Sequence, residues 1–254
     1  MPNDPRLVPR VDYDALASAY DKRYEHQRYE QVERAVHQFL DGPSRGAVLD
    51  VGCGTGHWLA SIADAAAIVV GLDRSREMLH RARTTAPRAL LAQATAEAIP
   101  FPDARFDRVF CVNALHHFPD PATFLVECRR VLRPGARILT IGLDPHAGLD
   151  SWWIYDYFPG ALRADLRRYL PTPRLREMLV AAGFSRPRTE IVQHLPAERA
   201  FDVAVARGHL ERHSTSQLMV ISDAEYEAGM RRLHEERPTL RADLRLYATV
   251  AELS

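Results

Sequence analysis

Three glycines and two aspartates carry the first chemistry in this 254-residue chain. Gly52, Gly54 and Gly56 follow the apolar run Ala47-Val48-Leu49-Asp50-Val51, and Asp73 closes a second run, Ile68-Val69-Val70-Gly71-Leu72, 21 residues past Gly52. Glycines at the carboxyl end of a strand let the backbone turn sharply and let a ligand lie against it. An acid ending the next strand faces the same crevice. There it accepts hydrogen bonds from both hydroxyls of a ribose, strengthened by its charge. The loop reads G-x-G-x-G. A dinucleotide fingerprint would place its third glycine at His57, which disfavours NAD-linked oxidoreduction. The sequence holds no G-x-x-x-x-G-K-[ST], and its only lysine is Lys22, which argues against ATP or GTP. The pattern asks for a nucleoside with a ribose and no phosphate grip. The structural alternatives are a bare strand-to-helix turn at Gly52–Gly56 and a helix N-terminal acid at Asp73.

Histidines stand where an acceptor would meet such a ligand. His116 and His117 follow the run Val109-Phe110-Cys111-Val112, and Asp144 and His146 follow Ile138-Leu139-Thr140-Ile141. A histidine at a strand's carboxyl end can take a proton from a hydroxyl near neutral pH; it can equally cap a helix or pack on the loop. Trp152, Trp153, Tyr155, Tyr157 and Phe158 form the densest aromatic cluster. Two uses stay open for it: a wall for an apolar or planar acceptor or for a cation, and an anchor for an inserted helix. Arg163, Arg167 and Arg168 follow, and a solvated helix face is their simplest use.

The elements that must hold these residues read as alternating short strands and helices. Tyr13, Leu16, Ala17 and Tyr20 share one helical face, as do Val32, Ala35, Val36 and Phe39, with Asp41-Gly42-Pro43 ending that second helix. Strands are expected at 47–51, 68–73, 89–92, 106–112 and 136–141, with helices at 58–65, from Met78 to Pro87 and at 124–132. Continuous apolar strands alternating with helices mean a parallel sheet covered on both faces. Beyond Asp144 the rhythm breaks. Thr172-Pro173 predicts a helix start and Gly183 its cap. A strand is expected at 189–195, helices at 197–208 and 223–236, the latter with the capping box Ser222-Asp223-Ala224-Glu225, and a last strand at 244–250. No internal repeat interrupts this order. One domain over 1–254 is the simplest organisation.

Composition narrows the function classes. The 33 basic residues, 32 of them arginine, balance 33 acidic ones, so the phosphate-neutralising excess of a nucleic-acid binder is absent from the total. Cys53, Cys111 and Cys128 have no zinc spacing and suit free thiols in a reducing compartment, so no metal is expected. The longest apolar run, 65–72, is too short to span a bilayer, and the first residues do not form a secretory signal. A cytoplasmic protein without membrane insertion is the reading.

The stretch Val48 to Gly56, V-L-D-V-G-C-G-T-G, resembles motif I of the class I S-adenosylmethionine-dependent methyltransferases. Gly71-Leu72-Asp73-Arg74-Ser75 with Met78-Leu79 resembles their ribose-binding turn, and Ala94 to Asp103 with Phe106-Asp107 their adenine loop. Val112 to Phe118 and Val131 to Ala136 resemble the fourth-strand loop and the fifth-strand entry. Four ordered motifs over residues 47–142 make the likeness specific, and its subgroup is the small-molecule and quinone type. Tyr13-Asp14-x-x-Ala17-x-x-Tyr20-Asp21 is similar to a lid helix of that group.

The resemblance implies an α/β fold: a Rossmann-like, seven-stranded, mostly parallel sheet with helices on both faces, an antiparallel last strand and helical cap insertions. It implies lid helices in 1–45, a cofactor core in 46–143 and substrate-side insertions in 144–172 and 196–243. S-adenosylmethionine would be the cofactor and S-adenosylhomocysteine the product. The implied cofactor contacts are Tyr20, Asp50, Gly52, Cys53, Gly54, Thr55, Gly56, Asp73, Arg74, Met78, Thr95, Ala96, Glu97 and Asn113. Thr95 departs from the aspartate common before the Ala-Glu pair and offers a weaker acceptor. His116, His117 and His146 are candidates for proton transfer, and Tyr13, His117, Trp152, Trp153 and Tyr157 for acceptor binding. The expected acceptor is a small, partly apolar or aromatic molecule, bound by a monomer or homodimer. The competing classes are a nucleic-acid methyltransferase, against which Asn113-Ala114-Leu115-His116 lacks the Pro-Pro-aromatic element, and a non-catalytic cofactor binder on the same fold.

Overall fold

The computed structural model of the protein describes residues 13–16, 29–41 and 46–253. Contacts divide these into a larger unit, Tyr13–Gly142, Thr172–Gln193 and 246–253, and a smaller one, Leu143–Pro171 and His194–Arg245.

The larger unit is built on β1 (Ala47–Val51), β2 (Ile68–Asp73), β3 (Leu90–Gln93), β4 (Phe106–Val112) and β5 (Leu132–Gly142), in the parallel order β3-β2-β1-β4-β5. β1 is buried along its whole length, as a strand covered on both faces must be. Its register puts Leu49 beside Val70 of β2 and Val109 of β4. Strand order runs outward in opposite directions from β1 and β4, so their carboxyl ends form the switch point where such sheets take ligands. β8 (Leu240–Leu253) closes the sheet antiparallel to β5, pairing Thr140 with Thr249, and β7 (Phe184–Arg199) pairs with β8. The mostly parallel α/β sheet with an antiparallel last strand is as the sequence led one to expect.

Helices cover it: α1 (Tyr13–Leu16), α2 (Glu30–Leu40), α3 (His57–Ser61), α4 (Arg76–Thr85), α5 (Pro121–Val131) and α8 (Thr172–Ala181). Ser75 caps α4 by accepting from the Met78 N–H at 3.1 Å, and Asp120 caps α5 through the N–H groups of Ala122 and Thr123, with Pro121 in the first turn. α3 stops at Ser61 rather than Ala65, because the Ala67 N–H already donates to the Gly46 carbonyl at 3.2 Å and draws the chain into β2. β5 begins at Leu132, four residues before the expected start, since Leu132 already pairs with Phe106 ahead of a register shift.

The smaller unit holds β6 (Ser151–Trp152), α6 (Trp153–Tyr157), α7 (Pro159–Arg168), α9 (Phe201–Ala206), α10 (Ser216–Met219) and α11 (Asp223–Glu236). β6 pairs with the start of β8, Trp152 opposite Ala242. Ile154, Phe158, Ala161, Phe201, Ala204, Leu218 and Leu233 make its core. Residues 197–199, expected as helix, belong to β7. The helix starts at Phe201, after β7 ends at Arg199.

Candidate active site

The loop after β1 is shaped by its glycines. Gly52, Gly54 and Gly56 have φ of +77°, +54° and +85°, the left-handed region that other residues enter at a cost. A Cβ on Gly52 would lie 2.5 Å from the Ala114 Cβ and 3.6 Å from the Phe118 ring, so the loop after β1 packs directly on the turn after β4.

Two aspartates flank this loop. Asp73 accepts from the Gly54 N–H at 2.8 Å through one carboxylate oxygen and from the Ser75 N–H at 2.9 Å through the other. It thereby ties the glycine loop to β2, and each oxygen keeps a second lone pair for a ribose hydroxyl. Burial pushes its carboxyl above the ordinary range, partly offset by those N–H donors. Asp50 is 1% exposed, and neither carboxylate oxygen has a hydrogen-bond partner among the described residues. Burial first, and the charge of Asp73 second, push its carboxyl well above the usual carboxylate range. A buried acid left unsatisfied costs stability unless a cation or donor joins it. Together the positive-φ cradle and the orphaned acid fit a cationic, ribose-bearing cofactor.

The rest of the expected cofactor set lies around that edge. Ala96 is buried, and Glu97 accepts from the Asp120 N–H at 3.4 Å. Asn113 takes a left-handed φ of +51°, its N–H donating to the Ile141 carbonyl at 2.7 Å. Arg74 and Thr95 are exposed. Cys53, Thr55 and Met78 are buried. Tyr20 lies outside the described residues.

The short α1 connects both sides of this edge. The hydroxyl of Tyr13 and Nε2 of His117 share a hydrogen bond, with ring centroids 4.9 Å apart edge to face. Its neighbour Asp14 accepts from the Ser75 hydroxyl at 2.5 Å and the Glu77 N–H at 3.3 Å. These bonds hold the Asp14 carboxyl below its usual range. Because β1 lies between β2 and β4, a segment pinned to both neighbours crosses the glycine loop. The His116 ring lies against that of His117, centroids 3.8 Å apart and planes inclined by 49°.

His146 belongs to the smaller unit, where its Nε2 faces the Tyr169 carbonyl at 3.0 Å and must carry the proton there. Trp152, Trp153, Tyr155 and Tyr157 are half-buried against that unit's core. The Tyr157 hydroxyl donates to Glu236 at 2.5 Å, and the Arg232 guanidinium lies 4.8 Å over its ring. Sequence reading named Asp14 only within the lid-helix likeness; its bond to Ser75 carries no local signal, since the two are 61 residues apart.

Residues 49–140 match the family described as "Methyltransferase domain". The chain is 32% identical over 195 residues to a probable S-adenosylmethionine-dependent methyltransferase of Mycolicibacterium smegmatis, covering 75% of this chain and 70% of that protein. It is 36% identical over 110 residues to a demethylmenaquinone methyltransferase of Bacillus licheniformis, covering 41% of this chain and 47% of the relative. Its fold superimposes on the crystal structure of the YcgJ protein from Bacillus subtilis with a TM-score of 0.64 at 21% identity, covering 89% of this chain and 99% of that one. Among the described residues no helix is long and apolar enough to cross a membrane, and no group of side chains could hold a metal ion.

Proposed function

We propose an acceptor class for a chain that belongs to the S-adenosylmethionine-dependent methyltransferases: a small, partly apolar or aromatic molecule, methylated by in-line displacement. The observation that carries this reading is the Tyr13–His117 pair beside the glycine loop. It sets a proton acceptor at the carboxyl edge of β4, next to the turn that packs on Gly52. A likeness to a demethylmenaquinone methyltransferase supports an aromatic acceptor.

Bound S-adenosylmethionine supplies an electrophilic methyl group on a sulfonium. The chain's residues do the rest. Gly52, Gly54 and Gly56 form the cradle, Asp73 receives the ribose hydroxyls, and Asp50 faces the positive charge of the cofactor's methionine part. Ala96 and Glu97 border the adenine. Asn113, in its left-handed turn, holds the β4 loop beside the cradle. His117 takes the acceptor's proton while Tyr13 fixes its ring, and the tilted His116 ring backs it. Orientation and exclusion of water contribute about 7 kcal/mol or more in well-aligned reactions, so a base is an addition to positioning. His146 keeps its ring nitrogen on the Tyr169 carbonyl and acts as an anchor within its own unit. Residues 46–143 act as the cofactor core.

The test is calorimetric binding of S-adenosylmethionine and S-adenosylhomocysteine to wild type and Asp73→Ala, followed by a panel of small phenols and hydroquinones read by S-adenosylhomocysteine release. Cofactor binding weakened by Asp73→Ala, with turnover of a panel member, is the expected result. Cofactor binding without turnover of any phenol or hydroquinone overturns the acceptor class.

A further inference from the structure

The loop joining β3 to β4, residues 94–103, is held from outside itself. Its own backbone bonds are few: the Ala98 N–H donates to the Thr95 carbonyl at 3.2 Å and the Phe101 N–H to the Ile99 carbonyl at 2.8 Å. Ile99, Phe101 and Asp103 are met by two side chains of α5. Arg130 donates through Nε to Glu127 at 2.7 Å, and through Nη1 to the Phe101 carbonyl at 2.7 Å and the Asp103 carboxylate at 2.9 Å. Through Nη2 it donates to the Ile99 carbonyl and to Glu127, both at 2.8 Å. All five guanidinium protons are therefore placed. Glu127 in turn accepts the Ile99 N–H at 2.9 Å, and its carboxyl is held low chiefly by Arg130. The opposite end of the same helix receives the loop as well, where the Asp120 N–H reaches Glu97.

We infer that Arg130, buttressed by Glu127, is a positioning residue for the cofactor: it fixes the loop that carries Ala96 and Glu97 without itself touching the ligand. This inference rests on the reading that places those two residues at the adenine. A planar fork is needed, because Ile99, Phe101 and Asp103 are met in three directions while Glu127 is gripped by two nitrogens at once. Lysine keeps the charge but has a single nitrogen, so it cannot hold both carbonyls and the carboxylate pair together. The loop then samples conformations from which the bound one must be selected, and affinity falls while the reacting groups stay as they were.

The experiment compares Arg130→Lys and Glu127→Gln with Arg133→Lys as control. Arg133 bridges Asp107 at 2.5 Å at the start of β4, beyond the loop. Calorimetry gives the Kd of S-adenosylmethionine and S-adenosylhomocysteine. Hydrogen exchange of amides 95–101 is read in cofactor-free protein, and the thermal midpoint is read for each variant. Arg130→Lys is expected to raise both Kd values about tenfold, speed loop exchange, and leave kcat at saturating cofactor within about twofold of wild type. Glu127→Gln should shift the same way by less, since its amide oxygen still accepts from Ile99. Unchanged Kd and loop exchange in Arg130→Lys overturn the inference. So does a rise in Kd that Arg133→Lys reproduces at equal loss of thermal midpoint. Wild-type protein that binds neither ligand overturns the cofactor reading and this inference with it, whereas wild-type binding with an unaffected Arg130→Lys overturns the clamp alone.

Discussion

The Tyr13 hydroxyl and His117 Nε2 share a hydrogen bond across 104 residues of sequence, joining the first described helix to the turn after β4. The bond's direction follows the histidine's tautomer, and either way the phenol fixes the imidazole plane. Tyr13→Phe keeps the ring and its edge-to-face contact but removes the partner atom. It should lower kcat/KM for the acceptor by about 10²-fold, the lower range for general acid–base catalysis, and leave the Kd of S-adenosylmethionine within about threefold of wild type. Steady-state kinetics beside calorimetry separate the two. Unaltered kcat/KM would remove the pair from proton transfer.

Asp50 makes stability and binding pull in opposite directions. Its carboxyl titrates well above 3.8 in the fold, so the folded chain binds more protons than the unfolded one as pH rises past that value. The sign is then fixed. Stability of the cofactor-free protein falls with increasing pH from the unfolded value up to the raised one. Asp50→Asn removes the cost of ionising a buried carboxyl and should raise the thermal midpoint above the unfolded carboxylate range by about 2–4 °C, corresponding to roughly 1 kcal/mol. It should also weaken S-adenosylmethionine binding by about tenfold or more, through loss of a charge-assisted partner. Over the pH range in which the folded Asp50 carboxyl loses its proton, cofactor binding to wild type should release protons, seen as a dependence of the binding heat on buffer ionisation enthalpy, and the variant should not. A variant that is less stable and binds normally would sink this account.

Gly52 tests the cradle through backbone strain and contact together. Gly52→Ala forces a non-glycine residue to φ +77° and drives a methyl into Ala114 at 2.5 Å. The left-handed conformation alone costs roughly 1–2 kcal/mol. The thermal midpoint should fall, and cofactor affinity should fall further than in the double variant Gly52→Ala/Ala114→Gly, which relieves the clash and keeps the strain. Equal affinity of the single and double variants would show that the contact with the β4 turn is immaterial.

What could be read from residues alone was whatever repeats locally. β1, β2 and β4 are continuous apolar runs, and their limits at 47–51, 68–73 and 106–112 emerge where hydrophobicity stops. Gly52 to Gly56 and Asp73 were legible because turn chemistry binds residue type to conformation. The same logic located α11, where the Ser222 hydroxyl accepts from the Glu225 N–H at 3.2 Å. Long-range pairings left no such trace. β7 extends to 16 residues because β8 lies beside it. α6 and α7 are set by the core around Phe158, and their stretch showed only as aromatic density. Asp14 and Arg130 are ordinary surface charges by sequence, and their partners are fixed by tertiary contact.

The smaller unit offers a case in which two effects of one methyl group oppose each other. Gly229 lies inside α11, where alanine gains up to about 1 kcal/mol of helix propensity over glycine. A Cβ there would meet the Phe158 ring at 2.2 and 2.4 Å and the Tyr157 carbonyl oxygen at 2.7 Å. Phe158 is fully buried and stacks on Tyr226 with centroids 5.9 Å apart, so its ring has no open space to enter, and the carbonyl belongs to backbone. Overpacking a filled core costs about 1–3 kcal/mol, more than the propensity gain. Gly229→Ala should therefore lower the unfolding midpoint of this unit. Phe158→Leu opens room at the same place, so the double variant should recover part of the loss and show a coupling energy of about 0.5 kcal/mol or more between the sites. Denaturant unfolding followed by tryptophan fluorescence reports it, since Trp152 and Trp153 pack on this core. Additive losses, or a stabilised Gly229→Ala, would show that the helices part to admit the methyl.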